Sequence, residues 1–167
     1  HSDYRSKYPE TYDNNLDTSV VYCGSKKFTD PIGGSQLNAG KLVLSPTRTY
    51  APLTQAIFEK LGRNCIKGMI HCSGGGQTKI LHFADNVHVI KDNLMEIPPL
   101  FQLIKEESGT EWREMFQVFN MGHRLEIYTD ASSASQMIEI AKTFNIQAQV
   151  IGHTEAFEGK KLSIIGP

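Results

Sequence analysis

The sequence is short of the features that mark membrane, disulfide-bonded and metal-centred proteins. No apolar run approaches the roughly 20 residues of a bilayer-spanning helix, and no charged-then-apolar leader opens the chain, so a soluble, cytoplasmic protein is expected. Cysteine is scarce: Cys23, Cys65 and Cys72 are odd in number and form no C-x-x-C pair, which argues against a disulfide framework and a zinc knuckle and for reduced thiols. The histidines at 82, 88, 123 and 153 lack H-x-x-x-H and H-E-x-x-H spacing, so no metal site and no zinc hydrolase is expected. An excess of one charge is also missing, since 17 basic and 18 acidic residues leave a formal net charge of -1. No global field recruits nucleic acid or an anionic membrane, and any anion site must be local. Internal repeats and low-complexity tracts are absent too.

What is present centres on the stretch from Ile66 to Leu81. An apolar run ends at His71, Gly74, Gly75 and Gly76 follow, and a helical pattern starts directly behind them. Without Cβ atoms these three residues can adopt positive φ and bring backbone N–H groups close to a ligand, and a following helix would add the positive end of its dipole. Such a place suits an anion, most often a phosphate. Neither a P-loop nor a dinucleotide fingerprint is present, because Gly-Lys-Ser/Thr and G-x-G-x-x-G are both missing.

Residues 1–41 read as an irregular leading segment, with a short helix around Ser2 to Lys7 stopped by Pro9 and a short strand over Ser19 to Cys23. Residues 42–167 read as one α/β domain. Leu53, Ala56, Ile57 and Leu61 repeat at helical spacing behind Pro52 and ahead of Gly62, with Thr49 or Tyr50 as the cap. Strands are expected over Cys65 to Cys72, Val87 to Ile90 and Leu125 to Tyr128, and a short helix over Thr78 to Phe83. Two further helices follow Pro98-Pro99 and Glu111. The longest helix is expected to be capped by Ser132 or Ser133, with Met137, Ile138, Ile140, Ala141 and Phe144 buried. Ala148 to Ile151 and Lys161 to Ile165 are expected as a closing pair of strands around Glu158-Gly159. This order argues for an α+β fold, a layered mixed sheet with packed helices.

Each candidate residue has a structural and a functional reading. His71 is either a strand-end histidine bonded to backbone or, from its place before the glycines, a donor or proton carrier facing a bound anion. Ser73 to Gly76 are either a flexible connection or a phosphate cradle. Arg48, between Thr47 and Thr49, is either a solvated arginine beside a helix cap or a planar fork gripping a phosphate. Asn120 is most simply a turn residue with local side-chain bonds. Trp112, Phe116 and Phe119 form a core stripe, because no basic residues interleave with them as in single-strand binders.

Taken together, Leu44 to Tyr50, Ile70 to Gly76, Glu114 to Gly122 and Ile151-Gly152 resemble the C-terminal half of aminoimidazole ribonucleotide synthetase, also called phosphoribosylformylglycinamidine cyclo-ligase. The family pattern is Pro-Thr-Arg-x-Tyr before a helix, a His-x-Thr-Gly-Gly-Gly turn, and Met-x-x-x-Phe-Asn-Met-Gly leading into a strand. Coverage runs from about residue 42 to the end. The resemblance implies an ATP-dependent, magnesium-assisted ring closure of formylglycinamidine ribonucleotide to aminoimidazole ribonucleotide in de novo purine synthesis. It also implies a homodimer and an N-terminal domain that holds most of the ATP site. That domain is not matched here; the opening at His1 fits a fragment starting near the junction, which is expected to be inactive alone.

By the same resemblance His71 is the cleft histidine and carries the catalytic expectation, Ser73 stands for the family threonine, and Gly74 to Gly76 are the family glycines. Arg48 and Asn120 match their motifs and, with His1, complete the substrate-binding set. His1-Ser2 is similar to the start of a His-Ser-Asn-Gly segment that Asp3-Tyr4 does not continue, and His123-Arg124 replaces small or apolar residues. The expected partner is a phosphorylated ribonucleotide, not nucleic acid or membrane. Two other readings are a different enzyme of this superfamily, such as thiamine monophosphate kinase, selenophosphate synthetase or the hydrogenase-maturation factor, and a non-catalytic module that binds a phosphate ligand.

Overall fold

The computed structural model describes residues 1–166. Its contacts divide the chain into two compact units, one of residues 1–46 with Pro98–Glu111 and one of Thr47–Ile97 with the chain from Trp112 onward. The leading unit therefore extends past residue 41 and takes a later helix into itself.

In the leading unit, α1 (Tyr4–Lys7) and α2 (Ala39–Val43) are joined by turns and short 3-10 segments. Tyr4 stacks on Phe28 with ring centroids 4.5 Å apart, and its hydroxyl accepts from the Phe28 N–H at 2.9 Å. Asn38 caps α2 by accepting from the Lys41 N–H at 2.9 Å. The strand expected over Ser19 to Cys23 does not form. Asp17 instead accepts from the Ser19 N–H at 2.8 Å and turns Thr18–Val20 into a 3-10 segment, a local side-chain bond competing with a ladder. The helix α4 (Pro99–Ser108) begins on proline and ends where Gly109 takes φ +67°.

The second unit carries the regular core. Helix α3 (Ala51–Leu61) starts behind Tyr50, tolerates Pro52 in its first turn where no N–H is needed, and ends at Gly62 with φ +77°. Helix α6 (Ala131–Thr143) starts from Asp130, ahead of the expected serine caps, because Asp130 is extended and its carbonyl accepts from the Ser133 N–H at 2.9 Å. Leu53 and Ile57 of α3 meet Met137, Ile140 and Ala141 of α6 in one buried apolar cluster. Helix α5 (Trp112–Val118) buries Met115 and Phe116, as its aromatic stripe predicts.

Two small sheets replace the single sheet expected. Strands β1 (Ile66–His71) and β3 (Leu125–Thr129) pair antiparallel with His71 opposite Leu125. Strands β2 (Val87–Lys91), β4 (Gly152–Ala156) and β5 (Lys160–Ile164) form the other sheet in the order β4-β2-β5, with β2 antiparallel to β4 and parallel to β5. Side chains rather than backbone bonds connect the sheets: Ile70 and Cys72 cluster with Ile80 and Val89. The expected closing hairpin is not formed, since β4 and β5 flank β2 and do not pair with each other. Residues 148–151 are drawn out of the ladder by side-chain bonds, with Asn93 Nδ2 donating to the Val150 carbonyl at 2.7 Å and Gln149 Nε2 to the Asn93 carbonyl at 2.8 Å. The strand then starts at Gly152, where a Cβ would fall inside the contact distance of the Ile90 carbonyl. The fold is α+β, and its mixed pairing lies within the three-stranded sheet.

Candidate functional site

Strand alternation sets up the glycine turn. Ile70 and Cys72 point into the core, so His71 between them points the other way and stays half-buried at the end of β1. Its Nδ1 lies 2.8 Å from the Ser73 hydroxyl, and the Tyr50 ring meets it edge-on at 6.2 Å. Gly74, Gly75 and Gly76 follow with φ of +64°, +84° and +47°, a run that side-chain-bearing residues adopt only under strain. The turn is open at its start and closed at its end. A Cβ on Gly74 would meet nothing within 4 Å, whereas one on Gly76 would lie 2.5 Å from the Phe119 carbonyl oxygen and 2.7 Å from that of Phe116.

The short helix expected behind the turn forms as a 3-10 helix, Gly76–His82. Thr78 explains the tighter winding, because its N–H and hydroxyl both donate to the Gly75 carbonyl, at 3.0 and 2.8 Å. Seven residues of 3-10 geometry give a weaker dipole than the one expected to favour an anion. A cation is present instead. The Lys79 ammonium donates to the carbonyls of His71 and Ser73 at 2.9 and 2.8 Å, which puts a positive charge against the turn.

The other expected residues are distributed differently. The Asn120 Oδ1 accepts from the Gly122 N–H at 2.9 Å, a local turn bond, and its carbonyl accepts from Gln77 Nε2 at 2.7 Å, so Asn120 joins the exit of the glycine turn. The Arg48 guanidinium donates to the Asn145 carbonyl at 2.9 Å on an exposed surface; its fork is engaged at the end of α6. His1 belongs to the leading unit, where Asp3 donates its N–H to His1 Nδ1 at 3.2 Å. His71, Ser73, Gly74 to Gly76 and Asn120 are brought together, and Arg48 is not bonded to them.

Sequence reasoning missed the polar group behind the turn. Lys91 and Glu126 form an ion pair at 2.5 Å with side chains only 2% and 4% exposed. The same ammonium donates to the Gln77 carbonyl at 3.0 Å and to Gln77 Oε1 at 2.9 Å, and Tyr128 donates its hydroxyl to Glu126 Oε2 at 2.9 Å. Burial, then the neighbouring carboxylate, raises the Tyr128 phenol pKa, and the same two causes in that order push the Cys72 thiol up to about 12. Both groups are proton-bound at neutral pH. Strand alternation puts Glu126 on the polar face of β3, and Lys91 simply ends an apolar run; no local signal joins residues so far apart in sequence.

His123 is buried beside this group. Its Nε2 accepts from the Met95 N–H at 3.0 Å, so the neutral ring carries its proton on Nδ1, which is buried and has no hydrogen-bond partner among the described residues. Burial lowers its pKa, against a smaller opposing effect of Glu126. Lys91, His123 and Glu126 also line a cavity of about 630 Å³ that runs along β3 and residues 146–154 and excludes the glycine turn. Among the described residues no group of three or more His, Cys, Asp or Glu could hold a metal ion. No described helix is long and apolar enough to cross a membrane.

No family model matches the chain. Curated relatives do, and they share one name. The chain is 35% identical over 125 residues to a phosphoribosylformylglycinamidine cyclo-ligase of Methanococcus vannielii, covering 72% of this chain and 35% of the relative. It is 36% identical over 137 residues to that of Methanocaldococcus jannaschii, covering 78% and 39%. To that of Syntrophus aciditrophicus it is 29% identical over 144 residues, covering 81% and 39%. Through that matched part, the chain belongs to the phosphoribosylformylglycinamidine cyclo-ligase family, of whose members it spans little more than a third.

Proposed function

We propose that this chain forms part of an ATP-dependent cyclo-ligase that converts formylglycinamidine ribonucleotide to aminoimidazole ribonucleotide, and that its glycine turn receives the substrate's 5′-phosphate. The name shared by the relatives supports the reaction. One geometric observation carries the site: three consecutive positive-φ glycines, open at Gly74, with the Lys79 ammonium on the His71 and Ser73 carbonyls. An ammonium has three donors, and two are engaged there, which leaves one for a phosphate oxygen at the mouth of the turn. Lys79 thereby takes the role expected of Arg48.

His71 and Ser73 form a hydrogen-bonded pair at the open end. In this reading Ser73 donates to the phosphate and His71 orients it, with its other ring nitrogen directed at charge developing on the substrate. ATP supplies the activating phosphoryl group, and we assign ATP and magnesium to the part of the relatives that this chain does not span. Among the described residues no cluster of carboxylates is placed to hold that magnesium. The homodimer and the N-terminal domain belong to the same proposal.

The test is titration of the chain with ribose 5-phosphate, followed at the Gly74 to Gln77 amides. Binding is expected to move those resonances, and Lys79→Ala to weaken binding at least about tenfold, roughly 1.4 kcal/mol. In an active enzyme carrying this chain, His71→Ala is expected to lower kcat/KM by at least about tenfold. Undiminished binding by Lys79→Ala sinks the phosphate assignment. An unchanged kcat/KM leaves His71 a purely structural residue.

A further inference from the structure

Lys91 ends β2 with three ammonium donors and three acceptors for them. Glu126 Oε1 takes one at 2.5 Å, and the carbonyl and side-chain oxygen of Gln77 take the other two at 3.0 and 2.9 Å. Two of the three acceptors thus belong to one residue, the one directly behind the glycine turn. Gln77 is itself almost wholly buried and passes the connection on, donating from Nε2 to the Asn120 carbonyl at 2.7 Å. Between these anchors Gly76 is wedged against the carbonyls of Phe116 and Phe119. Glu126 is fixed in turn by the Tyr128 hydroxyl at 2.9 Å.

A buried ion pair is a poor source of net stability, because apolar side chains of similar volume replace such pairs at no loss. Its distinctive property is direction: every donor of Lys91 has one required place. We infer that Lys91, oriented by Glu126, is a positioning residue that fixes Gln77 and thereby holds Gly74 to Gly76 in the conformation that receives the anion. The inference rests on the phosphate reading of the turn for its functional meaning, and on geometry alone for the strut.

The experiment uses the full chain with two variants, Lys91→Met combined with Glu126→Leu, and Gln77→Met. Three quantities are measured: the melting temperature, amide hydrogen exchange at Gly75, Gly76 and Gln77, and ribose 5-phosphate affinity. The double variant is expected to stay folded and to melt above Lys91→Met alone, since no buried charge is left unpaired, although Gln77 and Tyr128 lose their partners. Its turn amides are expected to exchange at least about tenfold faster and its affinity to fall at least about tenfold. Gln77→Met, which keeps the ion pair, is expected to show the same two changes. Wild-type exchange and affinity in either folded variant overturn the inference, because the strut then holds nothing. Faster exchange in a protein whose wild type does not bind ribose 5-phosphate upholds the strut and rejects the phosphate reading.

Discussion

The second unit has two interiors that obey different rules. Beneath α3 and α6, Leu53, Ile57, Met137, Ile140 and Ala141 bury carbon against carbon. Behind the glycine turn, Lys91, Glu126, Gln77 and His123 are buried to a similar degree but are held by named atoms at fixed distances. Burial in the first interior yields stability in proportion to area and tolerates any filling of the right volume. The second yields little net stability and tolerates almost no single change, since each group lost strands another. A protein can place its mass with the first kind of interior; it places a particular backbone segment with the second.

The sharpest way to break this contrast is to remove one charge. Lys91→Met alone strands Glu126 in the core and is expected to cost about 3–5 kcal/mol in urea unfolding. A loss below about 1 kcal/mol would mean that water reaches the pair and the distinction is false. In the apolar interior, the cost should instead scale with the volume removed. Ile57→Ala is expected to cost about 2–5 kcal/mol and Ile57→Val about 0.5–1.5 kcal/mol. Equal losses for the two substitutions would contradict a packed cluster around a residue that is 1% exposed.

The smallest effect is expected from pH. His123 has a folded pKa below its ordinary value of 6.5, because burial disfavours the imidazolium. As pH falls below about 6.5 the unfolded chain takes up a proton that the folded ring refuses, so stability is lost on the acid side and is fully present above it. The slope from this one group is at most about 1.4 kcal/mol per pH unit. Unfolding midpoints at pH 7.5 and pH 5.5 are expected to differ more in the wild type than in His123→Gln. Equal differences would show that the ring is solvated.

Much of the apolar interior is legible in the sequence. Proline in the first turn and glycine past the end bound α3, and the spacing of Leu53 and Ile57 gives its buried face. The glycine turn and its histidine are legible for the same reason: glycine and strand alternation are local properties. The charged interior is not. Glu126 alternates as an outward residue should, and the donor that makes its burial tolerable, the Lys91 ammonium, arrives from another strand, 35 residues away. Lys79 carries no local signal of its own; the 3-10 winding imposed by Thr78 brings its ammonium to the turn. The closing hairpin misled for a related reason. Two adjacent strands with a glycine between them pair by default, and here β2 takes the place between them.

That insertion has a consequence for the order in which the chain is assembled. Val87 of β2 pairs with Ala156 on one side and Lys160 on the other, so both neighbours of β2 are synthesised about 70 residues after it. The loop over 157–159 straddles the end of β2, with the Val87 N–H donating to the Gly159 carbonyl at 3.0 Å. Until Ile164 has emerged from the ribosome, β2 has at least one bare edge, and the strand that ends in Lys91 cannot settle. The glycine turn is therefore complete in sequence by residue 77 but waits on the last strand to become complete in shape.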